Sequence, residues 1–340
     1  MHISEFDYDL PSELIAQEPL GRRDASRLLV LERQTGKITQ RQFADLLSYL
    51  KPGDLLVSNK TKVIPARLYG RREKTGALIE VLLLKQIKAR HWEVLVRPGK
   101  KARPGTRIIF KAGLLEGKVI ETTSFGGRII EFNYEGVFLE ILEYLGKPPL
   151  PPYIKKEIDS LERYQTVYAR EPGSAAAPTA GLHFTLPLLQ AIREQGIEWQ
   201  EILLHVGLDT FRPVKETLIE KHRMHSEYFA ISEAAAVKIN QALQEKRRII
   251  AVGTTTVRTL ESAFQIGEIK AGEGWTNLFI YPGYEFKVIS GLITNFHLPK
   301  STLLMMVCAF AGRENVLRAY REAIKNRYRF FSFGDAMLII

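Results

Sequence analysis

Hydrophobic and polar positions change rhythm twice along this chain. Residues 9–16 predict a short helix, 28–32 a strand, 42–50 a helix and 54–58 a second strand. From 66 to 132 the apolar runs shorten, at 66–69, 78–84, 92–96, 107–110, 115–120 and 128–132. Turn signals part them: Arg97-Pro98-Gly99, Arg103-Pro104-Gly105, Ala112-Gly113 and Gly126-Gly127. Short strands so closely spaced predict a small β-barrel. One helix is expected over 137–145. Four prolines then fall within five residues, at Pro148, Pro149, Pro151 and Pro152, and make a stiff, extended connector.

Beyond the connector, strands alternate with helices. Thr185 is placed to cap a helix reaching 195, with Pro187 in its first turn and Gly196 just past its end. Strands are expected at 199–206, 248–252, 277–281, 286–293, 328–333 and 336–340. Helices are expected at 233–246 (capped by Ser232), 256–264, 302–311 and 314–325. The pattern predicts an α/β fold: a larger α/β domain, residues 1–60 and 155–340, interrupted by a small β-barrel domain, residues 61–154.

Composition narrows the class. The 340 residues, 45% hydrophobic, suffice for a large core. Cys308 is the single cysteine, so no intrachain disulfide is possible and a reducing cytoplasm is the expected compartment. No signal peptide and no membrane-length apolar run are visible. The net charge is +10, and residues 61–154 hold 17 Lys and Arg against 9 Asp and Glu, a net of +8. That bias suits a polyanion such as RNA, though a merely solvated basic face would look the same.

Candidate chemistry gathers in polar loops between apolar runs. The stretch Thr294-Asn295-Phe296-His297-Leu298-Pro299-Lys300-Ser301-Thr302 needs a hydroxyl to cap the following helix, but not the Asn, His and Lys beside it. A second loop carries Thr179, Gly181, His183, Phe184 and Thr185. Val252-Gly253-Thr254-Thr255-Thr256-Val257-Arg258 ends a strand and opens a helix, a place where free N–H groups favour an anion. Paired guanidiniums around Asp24, at Arg22, Arg23 and Arg27, are another anion candidate, set against a plain surface ion pair. Five of the seven histidines lie past the connector. His205, His222 and His225 match no zinc motif, so no metal is expected, and neutral imidazoles acting as acid or base suit the pattern better. Neither a P-loop nor a nucleophile elbow is present.

Taken together, these motifs resemble the S-adenosylmethionine:tRNA ribosyltransferase-isomerase family of the queuosine pathway. The likeness runs from Phe6-Asp7-Tyr8-Asp9-Leu10-Pro11 and Arg23-Asp24-Ala25-Ser26-Arg27-Leu28, through Asn59-Lys60-Thr61-Lys62-Val63-Ile64-Pro65-Ala66-Arg67 and Tyr164-Gln165-Thr166-Val167-Tyr168-Ala169, to Ser332-Phe333-Gly334-Asp335. One departure is Asp209 before Thr210-Phe211, where the family pattern expects glycine.

The resemblance implies that the ribosyl group of S-adenosylmethionine is transferred to 7-aminomethyl-7-deazaguanine in the tRNA wobble position and isomerised, giving epoxyqueuosine and releasing adenine and methionine. S-adenosylmethionine is then a consumed substrate, no resident cofactor is needed, and the enzyme is expected to be a monomer that touches no membrane. It further implies a base among His183, His205 and His297, with Asp335 or a second His protonating adenine. The methionine carboxylate would sit on Gly253, Thr254 and Thr255 near Arg258. Tyr164, Tyr168 and Phe184 would stack on a base, and Asn59, Thr61 and Arg67 would hold tRNA. Thr179, Gly181, Asn295, Arg23, Asp24 and Arg27 would complete the substrate site. A non-catalytic RNA-binding module and an S-adenosylmethionine-dependent RNA methyltransferase are the alternatives. The binding module leaves the polar α/β loops unused, and the methyltransferase needs a glycine-rich loop after the first strand and an acidic residue at the next strand end, a pair that the sequence does not show.

Overall fold

The structure is a computed structural model that describes residues 1–123, 126–156, 158, 160–207, 214 and 216–340. Asp209 lies outside the described residues. The chain forms two compact units: Met1–Thr61 with Pro152–Glu171 and Ala177–Ile340, and Lys62–Pro151 with Pro172–Ala176.

The larger unit is built on a nine-stranded mixed sheet. Its order is Gly272–Thr276, Glu227–Ile231, Glu198–Leu204, Leu55–Asn59, Ile249–Val252, Gly291–Asn295, Ala336–Ile339, Arg27–Leu31 and Ile38–Gln42. The four strands from Glu198–Leu204 to Gly291–Asn295 run parallel, as does the pair Arg27–Leu31 and Ala336–Ile339; the remaining pairings are antiparallel. Central strands are apolar on both sides because both faces are covered. Leu29, Leu31, Val57, Ala251, Leu292 and Met337 pack under the helices Glu233–Gln244, Thr254–Ala263, Thr302–Ala311 and Arg313–Lys325. Their neighbours Leu28, Val30, Leu56, Ile250, Ile293 and Leu338 pack on the other face, against the helix Leu186–Glu194 and the 3-10 turn Phe43–Tyr49.

The smaller unit is a closed six-stranded antiparallel barrel: Arg128–Tyr134, His91–Arg97, Leu78–Lys88, Arg67–Arg72, Arg107–Lys111 and Leu115–Thr122. Alternate residues such as Leu68, Val81, Val94, Ile108, Val119 and Ile130 fill it, joined by Ile141 and Leu142 of the helix Phe138–Leu145. The α/β class with a β-barrel is therefore the observed one.

Several expected elements differ. The segment 9–16 holds only the 3-10 turn Ser12–Leu14, and Phe43–Tyr49 is 3-10 rather than α. No strand forms at 277–281, and the run 286–293 contributes only Gly291–Asn295 with its last residues. Between them the buried Glu261 carboxylate accepts the N–H groups of Lys287, Val288 and Ile289, which turns the chain instead of extending it. The run 328–333 is a buried turn that makes a single bridge, Phe330 to Ile15. Among the described residues no helix is long and apolar enough to cross a membrane.

Candidate functional site

Two clefts open in the larger unit, each beside one of the expected histidine loops. Strand Gly291–Asn295 ends at the first loop, and Ser301 Oγ caps the next helix by accepting Leu304 N–H at 3.2 Å. Between them the His297 peptide is held at both ends. Its N–H donates to Tyr320 Oη at 3.0 Å and its carbonyl accepts from Tyr8 Oη. The ring Nε2 lies 2.8 Å from Thr294 Oγ1, and burial pushes the imidazole down to about 3. It is therefore neutral at physiological pH, the form that carries a lone pair.

His297 faces a cleft of about 390 Å³, lined also by Pro178, Thr179, Val206, Gly253 and Thr255. Gly253 stands at φ +89°, a conformation that side chains resist, and it turns the end of the strand directly into the helix Thr254–Ala263. The first N–H groups of that helix have no intrahelical acceptor, so they suit an anion such as a carboxylate. Asn59 fixes their position. Its Nδ2 donates to Leu204 O at 2.8 Å and to Thr255 Oγ1 at 3.3 Å, while its Oδ1 accepts from Thr61 N and Leu204 N.

The second cleft, about 310 Å³, is lined by Arg23, Ser26, Arg163, His183, Ser332 and Gly334, among others. His183 stacks on Phe43 with ring centroids 5.0 Å apart. Its Nε2 lies 3.2 Å from Asn295 Nδ2, and its Nδ1 lies 2.7 Å from Ser26 Oγ. Asn295 Nδ2 also donates to Phe331 O at 2.9 Å, which fixes the amide as the donor toward His183. Nε2 is then the accepting nitrogen, and Nδ1–H donates to Ser26, which passes a bond to Arg23 O. Burial, helped by Arg23 and Arg329, pushes this ring also down to about 3. Both ring nitrogens are occupied, so His183 braces the cleft and has no free lone pair to act as a base.

Other expected site residues have structural tasks. Asp335 is buried, and its carboxylate accepts from Arg27 N, Arg27 Nε and Arg329 N, which leaves it no acid role toward a ligand. Arg27 is spent on that carboxylate, on Asn326 O and on the face of Tyr328. Asp24 pairs with the exposed Arg22, so the expected cluster turns only Arg23 inward. Arg258 is buried against Glu227 and donates to Leu278 O and Thr276 O; it does not line the Gly253 cleft. Tyr164 and Phe184 are fully buried, Tyr164 edge-on to Phe333 and Phe184 edge-on to Phe43 and Trp199, and present no face for a base to stack on.

Tyr168 packs edge-on to Trp199, and its hydroxyl lies over Gly181, where an added Cβ would stand 2.1 Å away. Asn59 and Thr61 are wholly buried and so are not surface contacts for RNA. Thr61 Oγ1 instead bonds His205 Nδ1 at 2.8 Å. His205 stacks on Tyr228 and is held below its usual range by burial. Arg67 belongs to the barrel unit, where it pairs with Glu80 at 3.2 Å. Among the described residues no three His, Cys, Asp or Glu are grouped to hold a metal ion. The sequence motifs include Tyr8 and Thr294 but give them no role of their own, and they assign none to Arg163 and Arg329, because nothing local marks any of the four as facing either histidine.

The family model described as queuosine biosynthesis protein matches residues 3–339. The chain belongs to that family. A protein of Carboxydothermus hydrogenoformans named S-adenosylmethionine:tRNA ribosyltransferase-isomerase is 62% identical over 340 residues, covering 100% of both chains. One of the same name from Symbiobacterium thermophilum is 60% identical over 341 residues, again covering 100% of both. The crystal structure of an S-adenosylmethionine tRNA ribosyltransferase from Thermotoga maritima is 42% identical, with 99% of this chain and 100% of that one aligned at a TM-score of 0.58.

Proposed function

We infer that this protein is an S-adenosylmethionine:tRNA ribosyltransferase-isomerase of queuosine biosynthesis. The observation that carries the reading is 62% identity to a protein of that name along the entire length of both chains. It transfers the ribosyl group of S-adenosylmethionine to the aminomethyl nitrogen of 7-aminomethyl-7-deazaguanine in tRNA. Rearrangement to the epoxycyclopentanediol of epoxyqueuosine accompanies the release of adenine and methionine. The donor is consumed, so it is a substrate and not a resident cofactor.

The Gly253 cleft suits the donor. Its helix N-terminus offers N–H groups to the methionine carboxylate, and Thr179 borders the same space. The sulfonium acidifies the C5′ hydrogens of the ribosyl group, and removing one of them calls for a base. Of the three expected histidines, His297 fits best: it lines this cleft, it is neutral, and Thr294 engages only its Nε2, which leaves Nδ1 without a partner among the described residues. Tyr8 and Tyr320 fix its peptide and so its reach. His205, bound to Thr61 at one nitrogen, is the other ring near this region through its neighbour Val206.

The test is to incubate the purified protein with S-adenosylmethionine and tRNA carrying 7-aminomethyl-7-deazaguanine, then assay free adenine and the tRNA nucleosides. Adenine and epoxyqueuosine formed only with the modified tRNA are expected. Formation of S-adenosylhomocysteine instead would make the protein a methyltransferase, and binding without turnover would leave only an RNA-binding module.

A further inference from the structure

We propose that the Arg23–Arg163 cleft beside His183 holds a phosphodiester of the RNA strand next to the nucleotide being modified, a role that rests on the activity inferred above. Arginines from three separate segments converge here. Arg23 comes from the turn Arg23–Ala25, Arg163 from the 3-10 turn Leu161–Tyr164, and Arg329 from the buried turn before the last strand. Arg23 and Arg163 line the cleft, and Arg329 acts on the same His183 ring.

None of the three forms an ion pair with a carboxylate among the described residues. Each is anchored on backbone carbonyls instead. Arg23 donates to Glu162 O at 2.9 Å and Leu182 O at 3.2 Å, Arg163 to Gly21 O at 3.2 Å and to Leu20 O, and Arg329 to Glu18 O. A guanidinium has five N–H donors, so each keeps some in reserve. Arg163 Nε and Arg329 Nη1 are buried without a partner.

These guanidiniums are half-buried, so their mutual repulsion is only partly screened by water and by the nearby carboxylates of Glu162, Glu18 and Asp335. Arg23 is held below its ordinary range by burial and by Arg163, with Glu162 offsetting part of that. An anion presented to this cleft would relieve the repulsion and take up the spare donors in a forked geometry that guanidinium favours. The methionine carboxylate already has its own place at the Gly253 helix, so the second anion is one that the RNA brings. His183 supports the site as a neutral ring held by Ser26 and Asn295: an imidazolium here would add a fourth positive charge to the cluster, and burial beside Arg23 and Arg329 keeps it uncharged.

The experiment uses the full chain and an anticodon stem-loop RNA carrying 7-aminomethyl-7-deazaguanine. A set of RNAs each replaces one phosphate around the wobble position by an uncharged methylphosphonate. Affinities are measured for the wild type, Arg163→Gln, Arg23→Gln and the charge-preserving Arg163→Lys. One methylphosphonate position should weaken wild-type binding about tenfold and have no further effect in Arg163→Gln. The salt dependence of that variant should flatten by about 0.7 in log–log slope.

Arg163→Lys, which controls for folding, should keep most of the salt slope. S-adenosylmethionine affinity should be unaltered throughout. Effects that simply add at every phosphate would overturn the proposal. So would a loss of S-adenosylmethionine affinity with RNA binding intact, which would give the cleft to the donor carboxylate. Tight binding of inorganic phosphate without coupling to any RNA position would also overturn it. Adenine release by the wild type is scored separately, so coupled RNA binding without adenine would remove the catalytic reading and keep the site.

Discussion

Asn295 Nδ2 lies 3.2 Å from His183 Nε2 and donates at 2.9 Å to Phe331 O, so one amide sets both the tautomer of the histidine and the path of the turn beyond it. The residue before it, Thr294, bonds His297 in the other cleft. Side chains alternate along a strand, so two successive residues at one strand end serve two different clefts. Asn295→Ala should leave His183 Nε2 and Phe331 O buried without partners. The expected loss is about 1–3 kcal/mol of stability, read from urea unfolding. A loss below about 0.5 kcal/mol would show that the amide is not the brace described here.

His297→Gln tests the base. Glutamine can keep a bond to Thr294 but cannot accept a proton in the same way. Adenine release should fall by about 10²–10⁴-fold while tRNA affinity stays close to that of the wild type. Turnover within tenfold of wild type would transfer the role to His205.

Acid should weaken the fold through its two buried imidazoles. His183 and His297 titrate near 3 in the folded chain, against about 6.5 when unfolded. Between those values the unfolded chain binds protons that the folded chain excludes, so stability is complete above about pH 6.5 and declines as pH falls toward 3. The urea midpoint should therefore drop between pH 7.5 and 4.5, and His297→Gln should drop less steeply. Equal slopes for the two proteins would contradict the assigned burial effect.

Gly181 is fixed by close approach. A Cβ there would meet Tyr168 Oη at 2.1 Å and Thr166 Cγ2 at 2.7 Å. Gly181→Ala should cost about 1–3 kcal/mol as an overpacked core change. Adding Tyr168→Phe should recover part of that cost, since it removes the nearest atom but leaves Thr166 in place. Thermal melts of the two single variants and the double variant form the cycle, and strict additivity would rule out the contact as the cause.

The barrel was readable because most of its strands are short and alternating, with glycine or proline turns between several of them, as in Arg97-Pro98-Gly99 between His91–Arg97 and Arg107–Lys111. The sheet centre was readable from apolar runs such as 54–58 and 248–252. Its antiparallel outer strands Ile38–Gln42 and Glu227–Ile231 were not. The first is half-exposed and polar, and neither carries a run that stands out. The run 328–333 misleads for the opposite reason: its apolar residues are buried in a turn, a state that periodicity cannot separate from a strand.

For the clefts, the sequence singled out His297, His183, Gly253 and Asn295, since polar residues beside a helix cap have few structural excuses. It could not say that Asp335 and Arg258 neutralise partners inside the fold, because Arg27 lies 308 positions from Asp335, and Glu227 lies 31 from Arg258. Nor could it show which of many arginines turn inward.

Strand Ala336–Ile339 sits between Gly291–Asn295 and Arg27–Leu31, although about 300 residues separate it from the latter. A ribosome therefore makes the Arg27–Leu31 hairpin long before its inner neighbour. Until Ala336–Ile339 has been made, Leu28 to Leu31 must wait with an unpaired, apolar strand edge, the kind of surface that pairs wrongly with other chains. The Phe6–Tyr8 segment waits as well, since Tyr8 and Asp7 bind His297 and Lys300, which are synthesised nearly 300 residues later. The larger unit can finish folding only once Ala336–Ile339 is available, and nascent chains stalled short of Ala336 are natural clients for chaperones.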